Sequence, residues 1–215
     1  MSIEATATPA TTTEASEVPL SVAQEAIWIY WQVAPDDPAY TVCLPLLLEG
    51  ELEEARLRRA VARLGELHPA LRGRVVPTPQ GPSLRWADAP TIPVVERTVT
   101  APAQEAVRER AAVPFDLRRG PLLRVEVLHG PGYRIVLFAG HHIVLDATAC
   151  GLLLAELSRL YAGHDLAPPG DADVLAAFAR RQRELSEGTE GEAHRRFWRE
   201  HLGPDVPPLL LPAVT

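Results

Sequence analysis

The chain contains no lysine and no asparagine, and its positive charge comes from arginine alone. Without a lysine amine, Schiff-base chemistry is excluded. The joint absence of two residues with A-rich codons points to a GC-rich genome. Cysteine is scarce: Cys43 and Cys150 lie far apart in apolar settings and form no Cys-x-x-Cys pair, so they read as buried free thiols in a reducing cytoplasm. No apolar run reaches membrane-spanning length, and the N-terminus lacks the basic and apolar regions of a signal peptide; a cytoplasmic protein without membrane contact is expected. The net charge of −7 speaks against nucleic acid as a main partner, because phosphate binding needs a concentrated basic face.

What is present suffices for one ordinary domain or a large lobe: 215 residues, 47% of them hydrophobic. Its centre is the stretch from Tyr133 to Tyr161. Ile135 to Ala139 form an apolar, branched run of strand length that opens onto Gly140, His141, His142 and, four residues on, Asp146. Beyond Asp146 the period changes, with Cys150, Leu153, Leu154, Leu157 and Tyr161 marking one face of a helix. Polar chemistry therefore sits where a buried strand turns into a helix. Alternation along the strand sends His141 and His142 to opposite faces, so only one can serve a given cleft. Asp146 stands at the helix entrance, placed to cap free N–H groups or to meet a cation, and backbone donors near Ala147 and Thr148 are available to developing negative charge.

Around this centre the chain alternates strands and helices without a repeat. Residues 1–18 are Thr, Ala, Glu, Ser and Pro with almost no large apolar side chain and predict a disordered tail. Ser21-x-x-Gln24 is a capping box that starts a helix carrying Ile27, Trp28 and Trp31, and in its plain reading it is a helix cap only. Tyr40 to Glu49 alternates as a strand whose Pro45 implies an edge or a bulge, and a helix through Leu57, Val61, Leu64 and His68 stops at Pro69. A hairpin over residues 71–86, a strand over 92–99, a helix over 102–113 and strands over 121–128 and 134–139 follow. Two helices, 171–186 and 192–202, precede a proline-broken end from residue 204. The fold class is α/β or α+β with a mixed sheet.

Three chemistries fit His142-x-x-x-Asp146. A metal site needs a third ligand, and the two residues do not share adjacent turns of one helix, so no metal is assigned to it. A hydrolase triad needs a nucleophile, and no Gly-x-Ser-x-Gly elbow is present. The third is a histidine that takes a proton from an incoming nucleophile while the aspartate holds the site in shape.

A resemblance bears on this choice. His141-His142-Ile143-Val144-Leu145-Asp146 resembles the His-His-x-x-x-Asp-Gly signature of condensation domains from nonribosomal peptide synthetases. Ser21 to Gln24 with Trp28 is similar to the family's first motif, and His68-Pro69-Ala70-Leu71-Arg72 to its second. Phe115-Asp116-Leu117 with Gly120 to Arg124 resembles the segment before the histidines, and Phe197 to Leu202 the tryptophan-containing helix that ends the N-terminal lobe. The resemblance runs from Leu20 to Pro212 and implies a chloramphenicol-acetyltransferase-like lobe over residues 19–203, with 204–215 as a Pro-rich segment crossing toward a C-terminal lobe whose motifs do not occur here. It further implies amide formation between a thioester donor, delivered on the phosphopantetheine arm of a peptidyl or acyl carrier protein, and an amine acceptor, with no directly bound cofactor. His142 would carry the chemistry, beside His141 and Asp146.

Three departures accompany the resemblance: Ala147 replaces the signature glycine, Ala26 stands in place of an arginine in the first motif, and Leu67 in place of the arginine that the family uses to hold the motif aspartate. Arg124 and Arg72 are the substitute cations expected for Asp146. A non-catalytic relative that binds carrier or partner proteins and an epimerisation domain are the alternatives; a tail directly after Met1 fits a starter or in-trans condensation domain better than an epimerase. A lone lobe is expected to expose an apolar patch near the motif and to dimerise through it.

Overall fold

The structure, a computed structural model, describes residues 17–86, 91–167 and 173–205. In chain order its elements are β1 (Glu17–Pro19), α1 (Val22–Val33), β2 (Thr41–Leu47), α2 (Glu54–Leu67), β3 (Arg74–Thr78), β4 (Gly81–Arg85), β5 (Val94–Thr98), α3 (Ala103–Ala111), β6 (Leu123–Gly130), β7 (Tyr133–His141), α4 (Ala147–Tyr161), α5 (Asp173–Glu187) and α6 (Thr189–Leu202), with short 3-10 turns at Pro38–Tyr40 and Pro69–Arg72. A mixed four-stranded sheet has the order β2-β7-β6-β5, with β5 and β6 parallel and the other pairs antiparallel; a smaller antiparallel sheet has the order β1-β4-β3. Pro45 lies on the edge strand β2, as its missing N–H requires.

The apolar run of β7 is explained by burial on both faces. Val136 and Phe138 pack with Leu57, Val61 and Leu64 of α2 and with Leu153 and Leu157 of α4, whereas Ile135 and Leu137 turn to the other side, against Ala106 of α3 and Leu128. A strand covered on one side only would alternate apolar and polar; covered on both, it reads as continuous. A third cluster joins the small sheet to α1 through Val18, Trp28, Trp31, Leu84, Phe115, Leu117 and Ile143. It seats the segment before β6 on α1: the Trp31 indole N–H donates to the Phe115 carbonyl at 2.9 Å, and the Arg118 guanidinium lies over both tryptophan rings.

Two sequence expectations change. Disorder through residue 18 is wrong for its last two residues, since Glu17 and Val18 form β1: Val18 is buried, and Arg85 Nε donates to Glu17 Oε2 at 2.9 Å. The partner strand lies more than 60 residues away, so local composition carries no trace of it. The hairpin starts at Arg74, because residues 69–72 continue from α2 as a 3-10 turn. The remainder of the expected tail, residues 1–16, and residues 206–215 of the Pro-rich end lie outside the described residues.

Candidate active site

The site is built at the end of β7. His141 closes the strand on the row of Ile135, Leu137 and Ala139, and it is buried, 5% exposed. The Ile143 N–H donates to its Nδ1 at 3.2 Å, and the rings of Phe115 and Tyr40 lie 6.0 and 6.2 Å away. Burial, with a smaller contribution from His142, pushes its pKa down to about 4, so near neutrality the ring is uncharged with its proton on Nε2. Its contacts hold the following loop.

His142 has left the strand. Its N–H donates to the Tyr40 carbonyl at 2.9 Å while its side chain is exposed. The three residues between it and Asp146 are anchors. Ile143 sinks into the cluster beneath α1 and Leu145 into the cluster beneath α2 and α4, so the loop is stapled into two cores with a polar residue at each end. Gly140 makes this possible: a Cβ there would stand 2.7 Å from Leu145 Cδ2.

Asp146 is the N-cap of α4. Its Oδ1 accepts from the Ala149 N–H at 2.7 Å, and the N–H groups of Ala147 and Thr148, the first two helical residues, have no intrahelical acceptor. Both side chains are exposed. Neither expected cation pairs with the aspartate, and among the described residues no ion pair involves Asp146. Arg124 belongs to a cluster on β6 instead: with Arg97 and Arg110 it surrounds the buried Glu126, which accepts from Arg110 Nε at 2.7 Å and Arg97 Nε at 2.8 Å. The Arg124 Nη2 also donates to the carbonyls of Arg110 and Val113. Arg72 donates through Nε to the Gly65 carbonyl at 3.0 Å. Alternation accounts for the first misplacement, because Arg124 pairs with Ala139 in the row that faces away from Gly140 and Leu145.

Gln24 does more than its capping box requires. The Ser21 hydroxyl accepts from the Gln24 N–H, the Gln24 Oε1 accepts from the Ser21 N–H, and the remaining amide N–H donates to the Ile143 carbonyl at 2.7 Å. The start of α1 is thereby tied to the histidine loop across 119 residues. Between them lies a cavity of about 240 Å³, lined by Ser21, Gln24, His142, Asp146, Leu175 and Phe178 among others. Its α5 wall is fixed to α1 by the Val22 N–H donating to Gln182 Oε1 at 3.3 Å and by Arg183, which pairs with Glu25 and donates to the Leu20 carbonyl. Phe178 and Gln182 carry no sequence signal for such a role, since they stand on an ordinary amphipathic helix. The cavity brings together His142, Asp146 and Ala149 of α4; of the other expected site residues, Ala147 and Thr148 adjoin it without lining it, and Arg72 and Arg124 lie elsewhere.

The Condensation domain family model matches residues 14–215. The chain belongs to the condensation-domain family. Among curated relatives it is 37% identical over 212 residues to phosphinothricin tripeptide synthetase PhsB of Streptomyces viridochromogenes, a match that covers 91% of this chain and 17% of that protein. It is 32% identical over 212 residues to chondramide synthase cmdD of Chondromyces crocatus, covering 93% and 5%. Among solved structures, the condensation domain from monacolin K polyketide synthase MokA superposes with a TM-score of 0.71 at 21% identity, over 90% of this chain and 44% of that one. The starter condensation domain of rhizomide synthetase RzmA gives 0.67 at 23%, over 87% and 48%. The chain thus has the condensation-domain fold; it spans about half the length of these solved domains and less than a fifth of the two curated synthetases.

Proposed function

We propose that this chain is the motif-bearing half of a condensation domain in a nonribosomal peptide synthetase, and that it forms amides from a carrier-bound thioester and an amine. The observation that carries the proposal is the different exposure of the two histidines: His142 opens onto the cavity between α1, α4 and α5, while His141 is spent on holding the loop. In the proposed step the amine nitrogen attacks the thioester carbonyl carbon, His142 accepts the proton that nitrogen loses, and collapse breaks the C–S bond and releases the carrier thiol, which takes up the proton. The free N–H groups of Ala147 and Thr148 at the positive end of α4 favour the negative oxygen of the intermediate.

The test is turnover with loaded carrier proteins in the complete domain. His142→Ala is expected to lower amide formation by on the order of 10²–10⁴-fold with the melting temperature unchanged, because the side chain is exposed and makes no hydrogen bond to other described residues. His142→Ala turnover equal to wild type, under conditions where chemistry is slow, would refute the general-base role.

A further inference from the structure

We propose a second site, a divalent metal site for Zn²⁺ formed by Glu54, Glu96 and His129, about 23 Å along the sheet from the histidine loop. The separation follows from strand register: His129 pairs with Arg134, seven residues before His141 on β7, at about 3.3 Å per residue. No metal is legible in the sequence, because the three ligands come from different elements and have no mutual spacing to recognise. Glu54 opens α2, Glu96 lies on β5, and His129 lies at the end of the parallel neighbour β6.

One ligand atom from each residue falls within 4.8 Å of the other two. A pair of glutamates alone would be an ordinary acidic surface; the imidazole is what distinguishes this group. His129 Nε2 is shielded from solvent, hydrogen-bonds to nothing, and stands 4.0 Å from Glu96 Oε2. A shielded ring nitrogen that makes no hydrogen bond, on a side chain about one-third exposed, has lost its water without a replacement at bonding distance, a state that a metal bond would relieve.

The neighbouring arginine fits an outer role. Arg58 Nη2 donates to Glu96 Oε1 at 2.9 Å and its Nη1 to the Val94 carbonyl, which fixes the carboxylate with Oε2 turned toward His129. Carboxylate ligands held by such a hydrogen bond are pre-oriented for a cation. The donor set, one imidazole and two carboxylates, suits a borderline ion such as Zn²⁺ and leaves a fourth position for solvent. A tetrahedral ion with bonds of about 2 Å sets its ligands about 3.3 Å apart, so the cluster must contract by up to about 1.5 Å, within reach of two glutamate side chains. Bound metal would fasten the first turn of α2 to the parallel pair β5–β6.

The experiment is a thermal melt and calorimetric titration of the full chain with ZnCl₂ under reducing conditions, repeated with Glu96→Gln and His129→Gln. A hundredfold excess over Kd is expected to raise the melting temperature by roughly 5–10 °C. Each variant should bind on the order of 100-fold more weakly and lose that rise, while melting within a few degrees of the metal-free wild type. Zn²⁺ binding by other histidines or thiols would leave the rise intact in both variants, and that result overturns the proposal. So would the absence of any rise at millimolar Zn²⁺, or an equal rise with MgCl₂, which would show that the imidazole takes no part.

Discussion

At the scale of the residue, Asp146 and His141 show how little a motif letter says about its energetic role. Asp146 spends its carboxylate on the Ala149 N–H, so its contribution is that of a helix cap. Asp146→Ala should cost about 1 kcal/mol, read as a lower melting temperature, whereas Asp146→Asn, which caps equally well, should change it little. Had an arginine held the aspartate, the asparagine variant would have been the damaging one. His141 contributes through its neutrality. Its pKa of about 4 in the fold lies below the ordinary 6.5, so the unfolded chain binds the proton more readily. The stability this group provides is full above about pH 6.5 and is lost as pH falls from there toward 4, by up to roughly 3 kcal/mol. His141→Asn keeps an acceptor for the Ile143 N–H and removes the titration. Melting curves between pH 7 and pH 4.5 should show the wild type losing its advantage over that variant as acid is added; parallel curves would mean that His141 is not the group responsible.

At the scale of the element, the histidine loop depends on a vacancy in one strand and a side chain from one distant helix. Gly140→Ala forces the buried Leu145 to move and should cost about 1–3 kcal/mol, and Leu145→Val in the same chain should recover part of that loss. Gln24→Glu retains an acceptor for the Ser21 N–H but sets a carboxylate oxygen against the Ile143 carbonyl; in the complete domain it should lower both the melting temperature and turnover. Most elements were legible because their signals are local. The Ser21–Gln24 box starts α1, Pro69 ends α2, and the shift from strand to helical period at Asp146 marks the β7–α4 junction. For His141 and His142, alternation predicts different surroundings, but His142 lies one residue past the end of β7, so the turn and not the pleat sets its exposure. What could not be read are contacts between distant segments: β1 on β4, the Gln24 amide on Ile143, the arginine cluster on Glu126, and the Glu54, Glu96 and His129 group. Local periodicity and capping patterns do not encode them.

For the molecule as a whole, the decisive feature is how much apolar surface lies on the last two helices. Val174, Leu175 and Phe178 of α5 and Phe197, Trp198 and Leu202 of α6 are each 46–65% exposed, and Leu175 and Phe178 also form one wall of the His142 cavity. Surface of this kind, rimming a candidate site, marks an interface. In a chain that spans about half of the solved condensation domains, we take its partner to be the remainder of such a domain. Two consequences follow for the 215-residue chain by itself. It should associate reversibly in sedimentation experiments, and Phe178→Glu with Trp198→Glu should return it to a monomer. It should also fail to condense substrates presented on loaded carrier proteins, because a cavity that the remainder of the domain does not close holds neither thioester nor amine in attack geometry, and positioning supplies much of the rate of a bimolecular step. Supplying the remaining half of the domain, as a separate chain or in fusion, should restore product formation, and His142→Ala should abolish what is restored. Product made by the chain alone at the rate of the whole domain would show that the His142 cavity is already a complete site.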